Sequence, residues 1–271
     1  MPKLVGAGQS HVGLRRSNNE DSYFFDDELG LYLVADGMGG AASGELASRM
    51  TADAVAGYVR SFYGKSLGEP GRYDFFDAAM SPRANTLLQG IHLANRLVYD
   101  AAHKNDRNSG MGSTLAVVFR DDDHVLAVNV GDSRVFLSRQ GKFEQLTADH
   151  RLADDPKYRG LVNPEATIMS QMGHTLTRAM GVRREVDPDV QRLPLREGDL
   201  FLLCSDGLSD MVEPDMIAEV LSLDRSLESK ARDLIELALA GGGRDNVTAV
   251  LAQSEAKSRL KSLLIRLAGG G

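Results

Sequence analysis

Aspartates stand at the ends of apolar runs along the chain. Asp36 closes Leu31-Tyr-Leu-Val-Ala35, Asp132 follows Ala127-Val-Asn-Val-Gly131, Asp206 follows Phe201-Leu-Leu-Cys-Ser205, and Asp245 with Asn246 opens Val247-Thr-Ala-Val-Leu251. Turn chemistry is the plain alternative, because Asp-Gly at Asp36-Gly37 and at Asp206-Gly207 is by itself a strong hairpin signal. Four such sites in one chain favour a shared purpose. If the run ends converge, carboxylates meet in a partly dry cleft, which their repulsion permits only if they are protonated or share cations. Hard oxygen donors without a Cys or His cluster select Mg²⁺ or Mn²⁺ rather than Zn²⁺. Two such ions about 3.5 to 4 Å apart can lower the pKa of a bridging water toward about 7 and present hydroxide to a phosphorus atom. Phosphate ester hydrolysis is the reaction this chemistry suits. Arg15 and Arg16, in Gly13-Leu-Arg-Arg-Ser-Asn-Asn-Glu-Asp21, are cations able to grip phosphate oxygens, and Glu20 and Asp21 add two more carboxylates. The same side chains could equally form a surface ion pair.

The elements that must position these groups are legible as short apolar runs and helical periodicities. Residues 31–35, 115–119, 125–130, 200–204 and 247–252 read as buried strands, each bounded by Gly, Asp or Asn. Helical spacing covers 43–59, through Leu46, Ala47, Met50, Ala54 and Val55, and 84–102, through Leu87, Leu88, Ile91, Ala94 and Val98. Asp224 or Ser226 caps a further helix that Gly241, Gly242 and Gly243 stop. Strands in adjacent pairs with tight connections, as across 120–124, predict an antiparallel sheet core with helices packed outside. Segments 60–82 and 151–174 lack periodicity and read as long loops.

Composition narrows the function classes. With 271 residues, 42% hydrophobic and 25% charged, and no linker-like stretch, the chain predicts one large globular domain over 1–255. Lys and Arg number 31 against 38 Asp and Glu, a net charge of -7, which argues against nucleic acid as the main partner. Cys204 is the only cysteine, so no disulfide and no thiolate zinc site can form within the chain, and a reducing, cytoplasmic setting is expected. No signal-peptide pattern and no apolar run of roughly 18 to 20 residues is present. The tail, 256–271, places Leu260, Leu263, Leu264 and Leu267 on one helical face, with Lys257, Arg259, Lys261 and Arg266 elsewhere. Such a basic amphipathic helix either meets an anionic membrane or a partner, or packs on its own domain.

In order along the chain, Gly13 to Asp21, Asp36-Gly-Met-Gly-Gly40, Gly112-Ser-Thr114, Gly131-Asp-Ser-Arg134, Leu176-Thr-Arg178, Ser205-Asp-Gly207 and Gly243-Arg-Asp-Asn-Val-Thr248 resemble the motifs of the type 2C, metal-dependent protein phosphatases. The likeness spans roughly residues 10–253 and implies a four-layer α-β-β-α sandwich, an α+β fold of two antiparallel sheets flanked by helices. It implies a two-metal centre of Mn²⁺ or Mg²⁺ with Asp36 bridging, the Gly37 carbonyl, Asp206 and Asp245 as ligands, and Glu20 and Asp21 holding metal-bound waters. Arg16 matches the phosphate-binding arginine, and Asp132 with Asp206 matches the third metal site of bacterial-type members. The substrate class implied is phosphoserine or phosphothreonine on proteins, opposing a Ser/Thr kinase or acting on its substrates. A flap before the Thr-Arg motif, 151–174, would face substrate. Met38 stands where many eukaryotic members place an acidic histidine, as in bacterial-type members, which leaves a metal-bound water or His174 to protonate the leaving group.

Four rivals are weaker on the residues themselves. Gly37-Met-Gly-Gly-Ala-Ala42 fits a Gly-x-Gly-x-x-Ala dinucleotide fingerprint, but Asp36 would aim a negative charge at the pyrophosphate. Cys204 lacks the arginine of a thiol phosphatase, and Gly64-Lys65-Ser66 lacks the first glycine of a P-loop. A non-catalytic phosphoprotein-binding relative would be expected to lack a metal carboxylate, and none is missing here.

Overall fold

Strands buried on both faces read as unbroken apolar runs, and the central strands of this protein are of that kind. A computed structural model describes residues 3–63, 75–154 and 175–255. Its strands are β1 (Lys3–His11), β2 (Asp21–Asp26), β3 (Leu31–Met38), β4 (Gly112–Ser113), β5 (Leu115–Asp121), β6 (His124–Val130), β7 (Arg134–Arg139), β8 (Lys142–Gln145), β9 (Asp189–Pro194), β10 (Leu200–Cys204) and β11 (Val247–Glu255). Two sheets result: one in the order β1-β11-β10-β7-β8, the other β2-β3-β5-β6-β9, with β4 also paired to β3. Every pairing is antiparallel.

Helices cover the outer faces. α1 (Ala41–Phe62) and α2 (Pro82–Lys104) lie against the second sheet, packing Val55, Val59, Leu87 and Ile91 on Leu33, Val117 and Val128. The one-turn α3 (Asp206–Ser209), α4 (Pro214–Ser222) and α5 (Leu227–Ala240) lie against the first, where Ile217, Leu234 and Ile235 meet Leu202, Ala249 and Leu251. Between the sheets, Leu4, Tyr32, Val34, Val118, Phe201, Leu203 and Val250 form the central layer. The architecture is therefore the expected α-β-β-α sandwich.

Local chemistry sets the boundaries. Ser81 accepts a hydrogen bond from the Ala84 amide and Pro82 opens α2, so this helix starts two residues before its apolar periodicity does. Ser226, not Asp224, caps α5. Asp121 pairs with His124, leaving Asp122 and Asp123 as a two-residue hairpin loop with Asp122 at φ 57°, and Gln140-Gly141 does the same for β7 and β8. The expected loop at 60–82 is shorter than that, since α1 runs on to Phe62 and Ser81 already belongs to a cap; 64–74 lie outside the described residues. So do 155–174, with His174 and most of the proposed flap, and the tail from 256 on. Among the described residues, no helix is long and apolar enough to cross a membrane.

Candidate active site

The hairpin alternative for the two Asp-Gly pairs does not hold. Asp36 and Gly37 sit inside β3, which continues to Met38, and Asp206-Gly207 opens α3. Turns therefore do not explain these aspartates. Gly39 and Gly40 have φ of 116° and 93°, conformations that side chains avoid, so the glycine-rich stretch serves a sharp exit from β3 into α1.

Arg16, Glu20, Asp36, Gly37, Asp132, Asp206 and Asp245 line one cleft of about 480 Å³ at the end of the sandwich, together with Met38, Thr114 and residues 175–179. Asp21, the remaining residue of the expected set, lies behind this lining. It pairs in register with Asp36 across β2 and β3. Its Oδ2 accepts hydrogen bonds from Ser205 Oγ (2.7 Å) and Thr248 Oγ1 (2.6 Å), whereas its buried Oδ1 has no hydrogen-bond partner among the described residues. Arg15 is exposed and does not line the cleft.

Backbone-directed side chains hold the lining in place. Thr114 Oγ1 accepts the Asp36 amide at 2.9 Å and pairs with Ser133 Oγ at 2.6 Å, which ties the Gly-Ser-Thr and Gly-Asp-Ser-Arg motifs to β3. Asn246 Oδ1 accepts the Glu20 amide at 2.7 Å, and its Nδ2 donates to the Val12 and Asn18 carbonyls, each at 2.9 Å. The loop carrying Arg16 and Glu20 is thereby pinned to the start of β11. A Cβ on Gly37 would run into the Gly44 carbonyl, so the approach of β3 to α1 requires glycine there.

The electrostatics are those of crowded acids. Burial, then repulsion from Asp21, Asp206, Asp132 and Asp245, holds the Asp36 carboxyl well above the usual range. Burial, then repulsion from Asp132 and Asp210, pushes Asp206 up to about 7, and burial pushes Asp21 up to about 6. Two arginines offset part of this charge. Arg16 Nη2 lies 2.8 Å from Asp245 Oδ2 at the half-exposed rim. Arg151, almost wholly buried, donates from Nε to Asp132 Oδ2 at 2.7 Å and reaches Asp206 and Asp210 at 3.4 Å. Sequence reasoning took Arg151 only as the first residue of a loop, and no spacing or charge pattern marked it. It also passed over Asn246 and Thr114 as positioning residues, although both stand within the quoted motifs.

The donor set fits hard divalent cations. Among the described residues, no group of three or more His, Cys, Asp or Glu side chains forms a ready metal cage. Mg²⁺ and its like do not need one, since they keep several waters and bind through one or two carboxylates plus substrate phosphate. Raised carboxyls around a wet cleft and an orphaned Asp21 oxygen are what such ions would relieve.

A family model described as protein phosphatase 2C matches residues 7–240. The chain belongs to the protein phosphatase 2C family. Protein phosphatase PhpP of Streptococcus pneumoniae is 30% identical over 244 residues, covering 89% of this chain and 93% of PhpP. Serine/threonine protein phosphatase PstP of Mycobacterium tuberculosis is 36% identical over 246 residues, covering 91% of this chain and 44% of PstP. The crystal structure of the PstP catalytic domain in complex with 2 manganese ions matches with a TM-score of 0.76 at 34% identity, over 94% of this chain and 100% of that one. This phosphatase 2C is a metal-dependent serine/threonine protein phosphatase. Membership also disposes of the dinucleotide-binding reading, and burial disposes of the thiol one, since it pushes Cys204 up to about 12.

Proposed function

We propose that this phosphatase hydrolyses phosphoserine and phosphothreonine in proteins at the cleft lined by Asp36, Asp206 and Asp245, opposing a Ser/Thr kinase of the same cytoplasm. The observation that carries the proposal is convergence: residues from five separate stretches of chain, 16–20, 36–37, 132, 206 and 245, line one cleft in which the Asp36 and Asp206 carboxyls are driven toward protonation. In this reading the catalytic domain spans 1–255.

Asp36 would bridge two Mn²⁺ or Mg²⁺ ions, with the Gly37 carbonyl, Asp206 and Asp245 completing the protein ligands. Glu20 and Asp21 would hold water around them. When bound, such ions acidify water and neutralise phosphate oxygens. The protein's own share is to orient and to bind. Arg16 sits at the rim, free to exchange its exposed Asp245 contact for two oxygens of a phosphate, for which a guanidinium fork is suited. Ser205 and Thr248 fix Asp21, and Thr114 fixes the backbone of Asp36, so the carboxylates are held before substrate arrives. Met38 lines the cleft but has no proton to give, so the proton for the leaving alkoxide comes from a water on the metals or from His174, which lies outside the described residues.

The test is phosphatase activity on a phosphothreonine peptide across a Mn²⁺ and Mg²⁺ series, alongside Mn²⁺ binding, for the parent and for Asp36→Asn, Asp206→Asn and Asp245→Asn. Each variant is expected to lose at least about 10²- to 10³-fold in kcat, the scale of removing one preorganised electrostatic group. Full activity in all three would discard the site. A third ion, on Asp132 and Asp206, is the other expectation carried by the resemblance, and there the chain offers a competitor.

A further inference from the structure

Asp132 and Asp206, which line the cleft, stand close to Asp210 and Asp149, which do not, and each of the four has an arginine nitrogen within 4 Å. Arg134 is committed to Asp149 through three hydrogen bonds of 2.7 to 3.1 Å. Arg151 reaches the other three carboxylates, its Nε is also 3.8 Å from Asp149, and Arg134 Nη2 shares Asp210 at 3.9 Å. The oxygens it occupies on Asp132 and Asp206 are Oδ2 in each case. Those two residues are the pair that a third divalent ion would need. A hard cation binds carboxylate oxygen at about 2.0 to 2.6 Å, and an oxygen already accepting a buried guanidinium is open to it only if the arginine leaves. Leaving is hard. The Arg151 side chain is 9% exposed, and its backbone forms an antiparallel bridge with Leu176, so the residue is anchored at both ends. Withdrawal would strand a buried positive charge without a partner.

We propose that Arg151 is the resident cation of the Asp132, Asp206 and Asp210 cluster, and that this phosphatase carries two divalent ions and no third while Arg151 is in place. The inference rests on the two-ion reading of the cleft. It assigns Arg151 a positioning role: the guanidinium, rather than a third ion, holds Asp206 toward the two-ion centre and neutralises Asp132.

The test is metal stoichiometry, read by calorimetric and paramagnetic titration of the full chain, stripped of metal, with Mn²⁺ alone. The parent should take up two ions per chain, and Asp132→Asn in the parent should leave the count at two. Arg151→Gln should gain a third ion at least about 100-fold tighter than any third uptake by the parent, the lower end of what losing an opposed buried charge produces. Adding Asp132→Asn to that variant should abolish the gain. A parent that binds three ions and loses one with Asp132→Asn overturns the inference, as does a folded Arg151→Gln that stays at two. Should Arg151→Gln not fold, the parent and its Asp132→Asn variant decide the matter by themselves. A parent that binds no ion strikes at the two-ion reading and takes this inference with it; a third ion on Asp132 strikes at the inference alone.

Discussion

Replacing Asp206 by Asn should make the metal-free protein more stable at pH 8, although it removes a proposed metal ligand. The Asp206 carboxyl is raised from its ordinary 3.8 to about 7, first by burial and then by Asp132 and Asp210. A group with a raised folded pKa contributes stability that is complete below its unfolded pKa and is lost as pH climbs through the folded one. At about 1.4 kcal/mol per tenfold change in proton affinity, the whole loss between pH 3.8 and 7 is about 4 kcal/mol, of which about 3 falls between pH 5 and pH 8. Unfolding entropy near 2.1 cal/mol/K per residue over 271 residues converts that into about 5 °C of Tm. Burial lowers the pKa of His92 and His150, which therefore lose stability as pH falls through about 6.5. They are common to both proteins and cancel in the difference. The assay is differential scanning fluorimetry in EDTA at pH 5 and pH 8, and the quantity is the Tm of Asp206→Asn minus that of the parent. It should rise by about 5 °C between the two pH values and reverse sign at pH 8 once Mn²⁺ is supplied, because only the parent then gains the full binding free energy. A difference that does not move with pH would refute the claim that carboxylate crowding sets the charge state of the cleft.

Asn246→Ala removes three hydrogen bonds to the loop that carries Arg16 and Glu20. At about 1 kcal/mol each it should cost about 2 to 3 kcal/mol in urea unfolding and raise KM for a phosphopeptide as Arg16 loses its register. Arg16→Ala should lower kcat/KM about 10- to 100-fold, the worth of a charge-assisted contact to phosphate, and weaken inhibition by inorganic phosphate in step. Its Tm should stay within about 1 °C of the parent's, because the Arg16–Asp245 pair is half-exposed. Gly207→Ala would drive a Cβ into the Asn246 backbone carbonyl, which cannot swing aside. A loss of about 1 to 3 kcal/mol is expected in chemical denaturation, and parent-like stability would contradict the close approach of α3 to the start of β11.

How much of this was legible in the sequence follows from where each strand lies in its sheet. β3, β5, β6, β10 and β11 are interior strands, buried on both faces, and their unbroken apolar runs announced them, whereas β7, also interior, buries only Val135, Phe136 and Leu137 in a row and was not read. β1, β2, β8 and β9 are edges, and the burial of β8 and β9 is too sparse to leave either an apolar run or a clean alternation. α4 is only nine residues long, too short for its periodicity to stand out. The carboxylates were visible because a strand end is a place where an acid needs a reason. Arg151 was invisible for the opposite cause: one arginine after Asp149-His150 looks like any loop charge, and only the fold brings it to Asp132, 19 residues back, and to Asp206, 55 residues on.

Positioning residues explain why a cluster this costly can be folded at all. Acids at Asp21, Asp36, Asp132 and Asp206 repel one another, yet neutral groups hold them: Thr114 the Asp36 amide, Asn246 the Glu20 amide, and the Ser205 and Thr248 hydroxyls the Asp21 carboxylate. The bonds to the Asp36 and Glu20 amides do not involve a carboxylate and so do not weaken when the acids titrate or when a cation comes or goes, whereas the two hydroxyl bonds to Asp21 are strongest while that carboxyl is ionised. The frame and the charges are therefore supplied by different residues. Loss of a divalent ion should then alter the protonation of Asp36 and Asp206 while leaving the paths of β2, β3 and β11 where they are, so that the cleft stands open to the next ion rather than collapsing around its own acids.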